Sequence, residues 1–263
     1  MDQYVDNLFS GGDFINIAIL IVAGLIVLVG IFSLGVSIAL SIKYIRFNRR
    51  ENSAGLDGVE TARAILDANG LENIKVKAVG SLLFGNSYSH YFKKVRLRRL
   101  TRHKKSLTAL AMGSEKAALA VLDKEGDPDM KARIKLVPII TFGPFALIPL
   151  IIIGVIIDIL IFNSTGVMTV VMAVLGLLFY IFSLVLSIKT LKTEKKAQER
   201  AYQLLRENNM ATEDEIADMH ELFHLYNIQY INDIILSMLE ILYYILRIIA
   251  ASKGGNVSSS RSN

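Results

Sequence analysis

The 29 residues 14–42 carry no formal charge, and almost all of them are apolar. A helix needs about 20 such residues to cross the hydrocarbon core of a bilayer. Two further stretches, 136–157 and 159–188, are also free of charged residues. These runs predict a polytopic membrane protein, and they exclude an ordinary soluble domain.

The composition agrees with a membrane protein. The chain of 263 residues is 52% hydrophobic, with a mean hydropathy of +0.44, which is more apolar than a soluble domain of this size. It contains no cysteine, which excludes disulfides and thiolate metal ligands. The first dozen residues carry Asp2 and Asp6 but no basic residue, unlike a secretory signal peptide. We therefore interpret the first apolar run as a retained membrane helix.

The predicted fold is mainly α-helical, with about four transmembrane helices and a small cytoplasmic α+β element that resembles a zincin. Pro138, Pro144 and Pro149 predict a kink or break in the second span. The predicted membrane segments and their flanks are an extracytoplasmic N-terminus 1–14, spans 15–42, 136–162, 167–188 and 229–251, an outer turn 163–166 and a flexible tail 252–263.

The distribution of basic residues predicts the orientation. Lysine and arginine follow the first span, precede the second and follow the third. Basic flanks of this kind face the cytoplasm, so segments 43–135 and 189–228 are predicted to be cytoplasmic in a multi-pass protein of the cell membrane.

Local signals predict the elements of the two cytoplasmic segments. Residues 57–60 have the pattern of a helix cap, and Gly70 ends the helix that follows. Residues 74–79 and 94–97 are predicted strands, and an alanine-rich helix spans 106–122. In the second segment one helix runs on from the third span to about Glu207. The next begins at Thr212, with Glu215 completing a capping box.

The order of these elements and their residues resembles the YugP-type membrane zinc metallopeptidases. The similarity is carried by residues 54–76, by 94–97, by the helix start 106–112, by Glu194, Ala197 and 200–205, and by Tyr230 with 241–247 in the last helix. It covers roughly 15–250 in collinear order. The resemblance implies a membrane peptidase fold with a zinc site on the helix that begins at Ser106.

The chain departs from the family at that site. The family has H-E-x-G-H there, in which two histidines bind zinc and the glutamate is the general base. The corresponding residues here are Glu115, Lys116 and Leu119, while Glu194 stands where the resemblance implies the third ligand. The family's D-H-Y-D loop is replaced by residues 85–90. We therefore predict a non-catalytic pseudo-peptidase without a cofactor, acting as a scaffold or adaptor in a membrane-protein complex.

A second motif keeps the alternative of an active zinc peptidase open. Residues 220–224 read H-E-x-x-H, with His220 and His224 as ligands and Glu221 as the base. Glu194 or His90 would have to supply a third ligand. An amphipathic helix explains the same residues without a metal, because Ile216, Met219, Phe223 and Tyr226 form an apolar stripe away from the histidines.

Two groups of charged residues are candidate contact sites. The segment 93–105 is strongly basic, and we expect it to contact anionic lipid first, an acidic protein partner second and nucleic acid last. Asp233, Glu240 and Arg247 lie on one face of the fourth predicted span, where Glu240 is a candidate for buried pairing or partner docking. The residues of the basic patch are Lys93, Lys94, Arg96, Arg98, Arg99, Arg102, Lys104 and Lys105.

Overall fold

The computed structural model describes residues 13–79, 85–162 and 166–259. Most of the predicted N-terminus, residues 163–165 of the outer turn and the last four residues of the tail lie outside these ranges. The described elements are α1 (Asp13–Arg49), α2 (Gly58–Ala68), β1 (Lys75–Val79), β2 (Ser87–Ser89), β3 (Lys94–Arg98), α3 (Arg99–Arg102), α4 (Leu107–Lys124), α5 (Pro128–Ile157), α6 (Val167–Glu207) and α7 (Glu213–Ser259). The mainly helical fold with a small sheet is therefore confirmed.

The described chain divides into two compact units. The first contains the beginning of α1, up to Ser37, and α7 from Gln229 onward. Polar side chains join its two helices, because the Ser37 hydroxyl donates to Gln229 at 3.0 Å and the Gln229 amide donates to Ser33 at 3.2 Å. Hydrogen bonds of this kind hold helices together where lipid supplies no hydrophobic driving force.

The second unit, Ile38–Ile228, contains the hydrophobic core, with α4 at its centre. Nearly every side chain of α4 is buried, polar ones included. Ser106 caps its first turn by accepting a hydrogen bond from the Ala109 amide at 3.2 Å. A Cβ atom added at Gly113 would lie 2.6 Å from the Gly58 carbonyl oxygen, so α2 packs against α4 in backbone contact.

The sheet covers another side of the core. Its order is β1-β3-β2, with β1 parallel and β2 antiparallel to β3. Val95 and Leu97 of β3 are fully buried, as strand alternation requires for the inner face. Helix α2, which precedes the sheet, has the predicted capping box between Asp57 and Glu60.

Helices α5 and α6 form a hairpin in which glycines allow close approach. Cβ atoms added at Gly143 and Gly154 would lie 2.5 Å from Ser183 and 2.7 Å from Thr169 respectively. At the end of α5, in a π-helical segment Asp158–Phe162, the buried Asp158 carboxylate accepts hydrogen bonds from the Met168 and Thr169 amides at 3.0 and 2.8 Å. This carboxylate therefore caps the start of α6.

Among the described residues, two helices are long and apolar enough to cross a membrane, Phe14–Arg49 and Val167–Glu207. A third candidate is the pair Pro128–Gly143 and Phe145–Ile161, bent by 50° at the position where proline predicted a kink. The predicted fourth span, 229–251, is helical within α7 but does not meet the same test over its described part. Four spans therefore stay a prediction.

One sequence prediction about local structure is wrong. The segment 85–90, predicted as a loop, contains β2 (Ser87–Ser89), because Tyr88 pairs with Val95 and buries its ring in the core. Helix α7 continues to Ser259, and the flexibility of the tail 252–263 stays a prediction. Extending an existing helix avoids the cost of nucleation, so the glycines at 254 and 255 do not end it.

Candidate functional site

The structure brings Glu115, Lys116 and Glu194 together at one buried point between α4 and α6. The Lys116 ammonium lies 2.9 Å from a Glu115 carboxylate oxygen and 3.1 Å from a Glu194 oxygen. The Lys116 and Glu115 side chains are 12% and 6% exposed. A single cation thus bridges the two carboxylates at the position where the resemblance places zinc.

Two further contacts complete this buried charge cluster, which we define as Glu115, Lys116, Arg133 and Glu194. The Arg133 guanidinium donates from two nitrogens to one Glu194 oxygen, at 2.6 and 3.1 Å. The other carboxylate, Glu115, accepts a hydrogen bond from the Gln198 amide at 3.3 Å. Two acidic and two basic side chains balance, so the cluster has no net charge and each carboxylate has a donor, as burial requires.

Gln198 ties the cluster to the neighbouring helix. Its amide exchanges two hydrogen bonds with Asn227 of α7, at 2.9 and 3.2 Å. The side chains of the cluster therefore come from α4, α5 and α6, and the Gln198–Asn227 amide pair connects them to α7. Nothing in the local sequence marks Arg133, Gln198 or Asn227, because each makes its contact with a residue distant in the chain.

Burial and charge act in opposite directions on the two neighbours in α4. Burial raises the pKa of Glu115, although Lys116 beside it lowers that pKa in part. Burial would lower the pKa of Lys116, but Glu115 and Glu194 outweigh it and raise that pKa. Lys116 is therefore charged throughout the physiological range, and its charge is what makes a carboxylate at position 115 tolerable.

The side chains at this position do not fit a zinc ion. Zinc in a catalytic site takes three protein ligands, usually histidine and carboxylate, and a water molecule. Leu119 has no donor atom and is fully buried in the core. Lys116 would place a positive charge where the family has a base, and Glu194 already bonds to two cations. We therefore derive no step of a reaction through a metal here.

The second motif lies on α7. His220 and His224 line a cleft of about 180 Å³, together with Lys195, Gln198, Glu199, Tyr202, Phe223 and Asn227. The intervening Glu221 does not belong to this lining and instead pairs with Lys43 at 2.6 Å. Within the described ranges, no group of three or more histidine or acidic side chains is placed to hold a metal ion.

The third-ligand candidates for that motif are engaged elsewhere. Glu194 belongs to the buried charge cluster, and the His90 ring lies 2.6 Å from the Asp123 carboxylate on α4. Tyr88 donates to the same carboxylate at 2.6 Å. Neither Glu194 nor His90 lines the cleft of His220 and His224, and both pair with other charged side chains. A third ligand for this motif stays a prediction.

The predicted basic patch is divided by the structure. Lys94 and Arg96 lie on the outer face of β3, whereas Lys104 and Lys105 are exposed in the segment between α3 and α4. Glu240, the candidate membrane charge, is exposed on α7, and we find no basic side chain paired with it in the part of the chain that is described. Buried pairing of Glu240 is therefore not seen there.

Comparison with known proteins matches this chain to one family. A family model described as "Putative neutral zinc metallopeptidase" matches residues 20–249. The chain is similar to "Putative membrane protease YugP" of Bacillus subtilis (strain 168), at 25% identity over 203 residues, which is 76% of this chain and 84% of the relative. No solved structure matches.

Proposed function

Because this chain belongs to that family of neutral zinc metallopeptidases, we propose that it is a pseudo-peptidase, a membrane protein that retains the fold and lacks the catalytic metal. Its role is that of a scaffold or adaptor that binds a protein without cleaving it. The supporting observation is the Lys116 ammonium between Glu115 and Glu194. The Lys116 ammonium pairs with Glu194, the residue that would be a zinc ligand in a peptidase, and with Glu115, which stands where the family has a histidine.

The chemistry of hydrolysis supports the proposal. A metallopeptidase needs a metal-bound water and a base that takes its proton. A charged ammonium at position 116 accepts no proton, and a leucine at 119 binds no metal. A substitution that removes either histidine or the base is by itself enough to stop hydrolysis. All three positions differ here, and the charged side chains among them are paired with opposite charges, which supports a site without a metal.

The competing function is an active peptidase that uses His220, Glu221 and His224. It is favoured by the i, i+4 spacing of the histidines and by the cleft that both of them line. It requires Glu221 to leave Lys43 and a third ligand to enter the cleft. Glu199 is the acidic residue in the lining of this cleft.

Zinc stoichiometry of the detergent-purified protein distinguishes the two functions. The pseudo-peptidase is expected to carry no zinc and to show no chelator-sensitive cleavage of casein. Zinc near one per chain that is lost in His220→Ala would overturn the proposal in favour of the competing site. Glu221→Gln should then abolish cleavage while leaving zinc in place.

A reconstruction of the family motif supplies the positive control. The variant E115H/K116E/L119H restores both histidines and the base on α4, with Glu194 left as the third ligand. Helix geometry places 115 and 119 on one face. We expect this variant to gain zinc, measured by metal analysis. Its failure to bind zinc while folded would show that more than these three residues separates the chain from the peptidases.

We further propose that the protein is a multi-pass protein of the cell membrane with four spans, and that its basic flanks face the cytoplasm. The absence of cysteine makes this directly testable by thiol labelling in intact cells. A cysteine at Ser53 or Ala217 should be protected from a membrane-impermeant reagent until the cells are opened. Labelling of either residue in intact cells would refute the orientation.

A further inference from the structure

The outer face of the sheet collects basic side chains from two strands that are separated in sequence. The parallel register pairs Lys75 with Lys94 and Lys77 with Arg96. Val76 and Val95 lie between them and point to the opposite face, where Val95 is fully buried. We call Lys75, Lys77, Lys94 and Arg96 the basic sheet face. The sequence run 93–105 contains only two of its members.

No acidic side chain neutralises this face within the described ranges. None of its four members forms an ion pair there, although most other basic residues of α4–α7 in the same unit do. Burial, and then the neighbouring Arg96 and Lys77, lowers the pKa of Lys94. The folded protein therefore holds like charges side by side, an arrangement that is destabilising unless an anion covers it.

Two exposed aromatic rings stand at the edge of the face. Tyr91 and Phe92, in the turn before β3, are 66% and 67% exposed. The Lys94 ammonium lies 4.5 Å from the centre of the Phe92 ring, and the Arg96 guanidinium lies 6.0 Å from it. Exposed aromatic rings beside cations are typical of surfaces that enter the headgroup layer of a membrane, where rings insert and cations meet phosphates.

We propose that the basic sheet face, with Tyr91 and Phe92, binds the anionic lipid surface of the membrane in which the chain is anchored. Charge complementarity selects headgroups with a net negative charge, and the aromatic rings favour a lipid interface over a purely electrostatic partner. The membrane-spanning helices of the same chain keep this surface at a high effective lipid concentration, so that a weak contact suffices. The inference is independent of whether the protein cleaves peptides.

A dye attached to a thiol on the basic sheet face can report contact between that face and lipid in the full-length protein. Ser89→Cys puts the only thiol of the chain opposite Lys94, and Ala217→Cys puts a control thiol on an exposed position of α7. Each variant is labelled with an environment-sensitive dye and placed in nanodiscs of phosphatidylcholine, with or without phosphatidylglycerol. We expect a blue shift only for the dye at position 89 and only in the anionic discs.

Two variants that each remove two positive charges test which basic side chains make the lipid contact. K94Q/R96Q removes two charges from the face and should weaken the contact about 25-fold, at about fivefold for each charge. K104Q/K105Q removes two charges from the same basic run outside the sheet and should stay close to wild type. K94R/R96K, which keeps the charge, should restore the shift and shows that the strand tolerates substitution.

Three results would overturn the proposal. One is a dye at position 89 that responds equally in neutral and anionic discs. Another is an equal loss in K104Q/K105Q, which would mean that only the total charge matters. The third is an RNA oligonucleotide that binds the protein in neutral discs and loses binding in K94Q/R96Q, without any response to lipid. That result would assign the face to nucleic acid.

Discussion

Replacing Lys116 with methionine tests the central feature of the buried charge cluster. Methionine has nearly the shape of the lysine side chain but lacks the ammonium that contacts Glu115 at 2.9 Å and Glu194 at 3.1 Å. Glu194 keeps Arg133, whereas Glu115 keeps only the neutral Gln198 amide at 3.3 Å. The variant therefore leaves Glu115 as a buried carboxylate without a cation.

The expected cost follows from the burial of both partners. Removing one member of a buried ion pair destabilises a protein by about 3–5 kcal/mol, because the remaining charge is desolvated without compensation. The double variant E115Q/K116M removes both charges and leaves the Glu194–Arg133 pair intact. Replacing a whole buried pair by neutral side chains of similar volume is often close to neutral, so most of the lost stability should return in the double variant.

The deficit of K116M should also depend on pH. Burial already raises the pKa of Glu115, and loss of the ammonium raises it further. A carboxyl group whose pKa is higher in the folded state binds its proton more tightly there. The loss of stability in K116M is therefore smallest below the unfolded-state pKa of Glu115, about 4.3, and grows as the pH rises through its folded-state pKa.

Unfolding of the detergent-purified variants measures these differences. The chain has no tryptophan, so loss of helix is followed by circular dichroism in a denaturant series at several pH values. A deficit in K116M below about 1 kcal/mol at neutral pH would refute the reasoning. So would a double variant that is less stable than K116M, since that would show that Glu115 is not the unpaired group.

Two further predictions concern the packing of the same unit. Gly113→Ala should destabilise the protein by about 1–3 kcal/mol, because the new methyl group would lie 2.6 Å from the backbone oxygen of Gly58. Gly30→Ala is the control, since a methyl group there meets no atom within 4 Å. Equal melting temperatures of the two variants would contradict the close packing of α2 on α4. Asp158→Ala should cost about 1–2 kcal/mol, because the Met168 and Thr169 amides at the start of α6 lose the carboxylate to which they donate. Asp158→Asn keeps an acceptor oxygen and should lose less stability in the same unfolding assay. An Asp158→Ala variant of unchanged stability would refute the capping role.

Local signals explain how much of the fold was predictable. The capping box at Asp57 and Glu60, the alanine-rich helix after Ser106 and the start of α7 after Thr212 each depend on hydrogen bonds within four residues. The first and third membrane segments follow from composition alone. Strand β2 was missed because three residues rich in serine carry no strand signal of their own. Strand β2 forms because Tyr88 pairs with Val95 of β3 and buries its side chain in the core.

The contacts of the candidate site could not be predicted from the sequence. The resemblance to the family motif pointed to positions 115, 116, 119 and 194, and the structure brings 115, 116 and 194 together. The resemblance gave no sign of Arg133, which lies in a basic membrane flank where positive charge has an ordinary explanation. Likewise, the sequence indicated a single basic patch over 93–105. The strand register instead places Lys94 and Arg96 beside Lys75 and Lys77.

The sequence by itself determined the family, the membrane character and the absence of histidine from the helix after Ser106, since all three depend on residue identity and local order. The tertiary structure decided how the charged side chains of that helix are paired. The bridge from Lys116 to Glu194 spans 78 residues, and that from Arg133 to Glu194 spans 61. Ion pairs at such separations depend on how α4, α5 and α6 pack, and no local pattern in the chain specifies that packing.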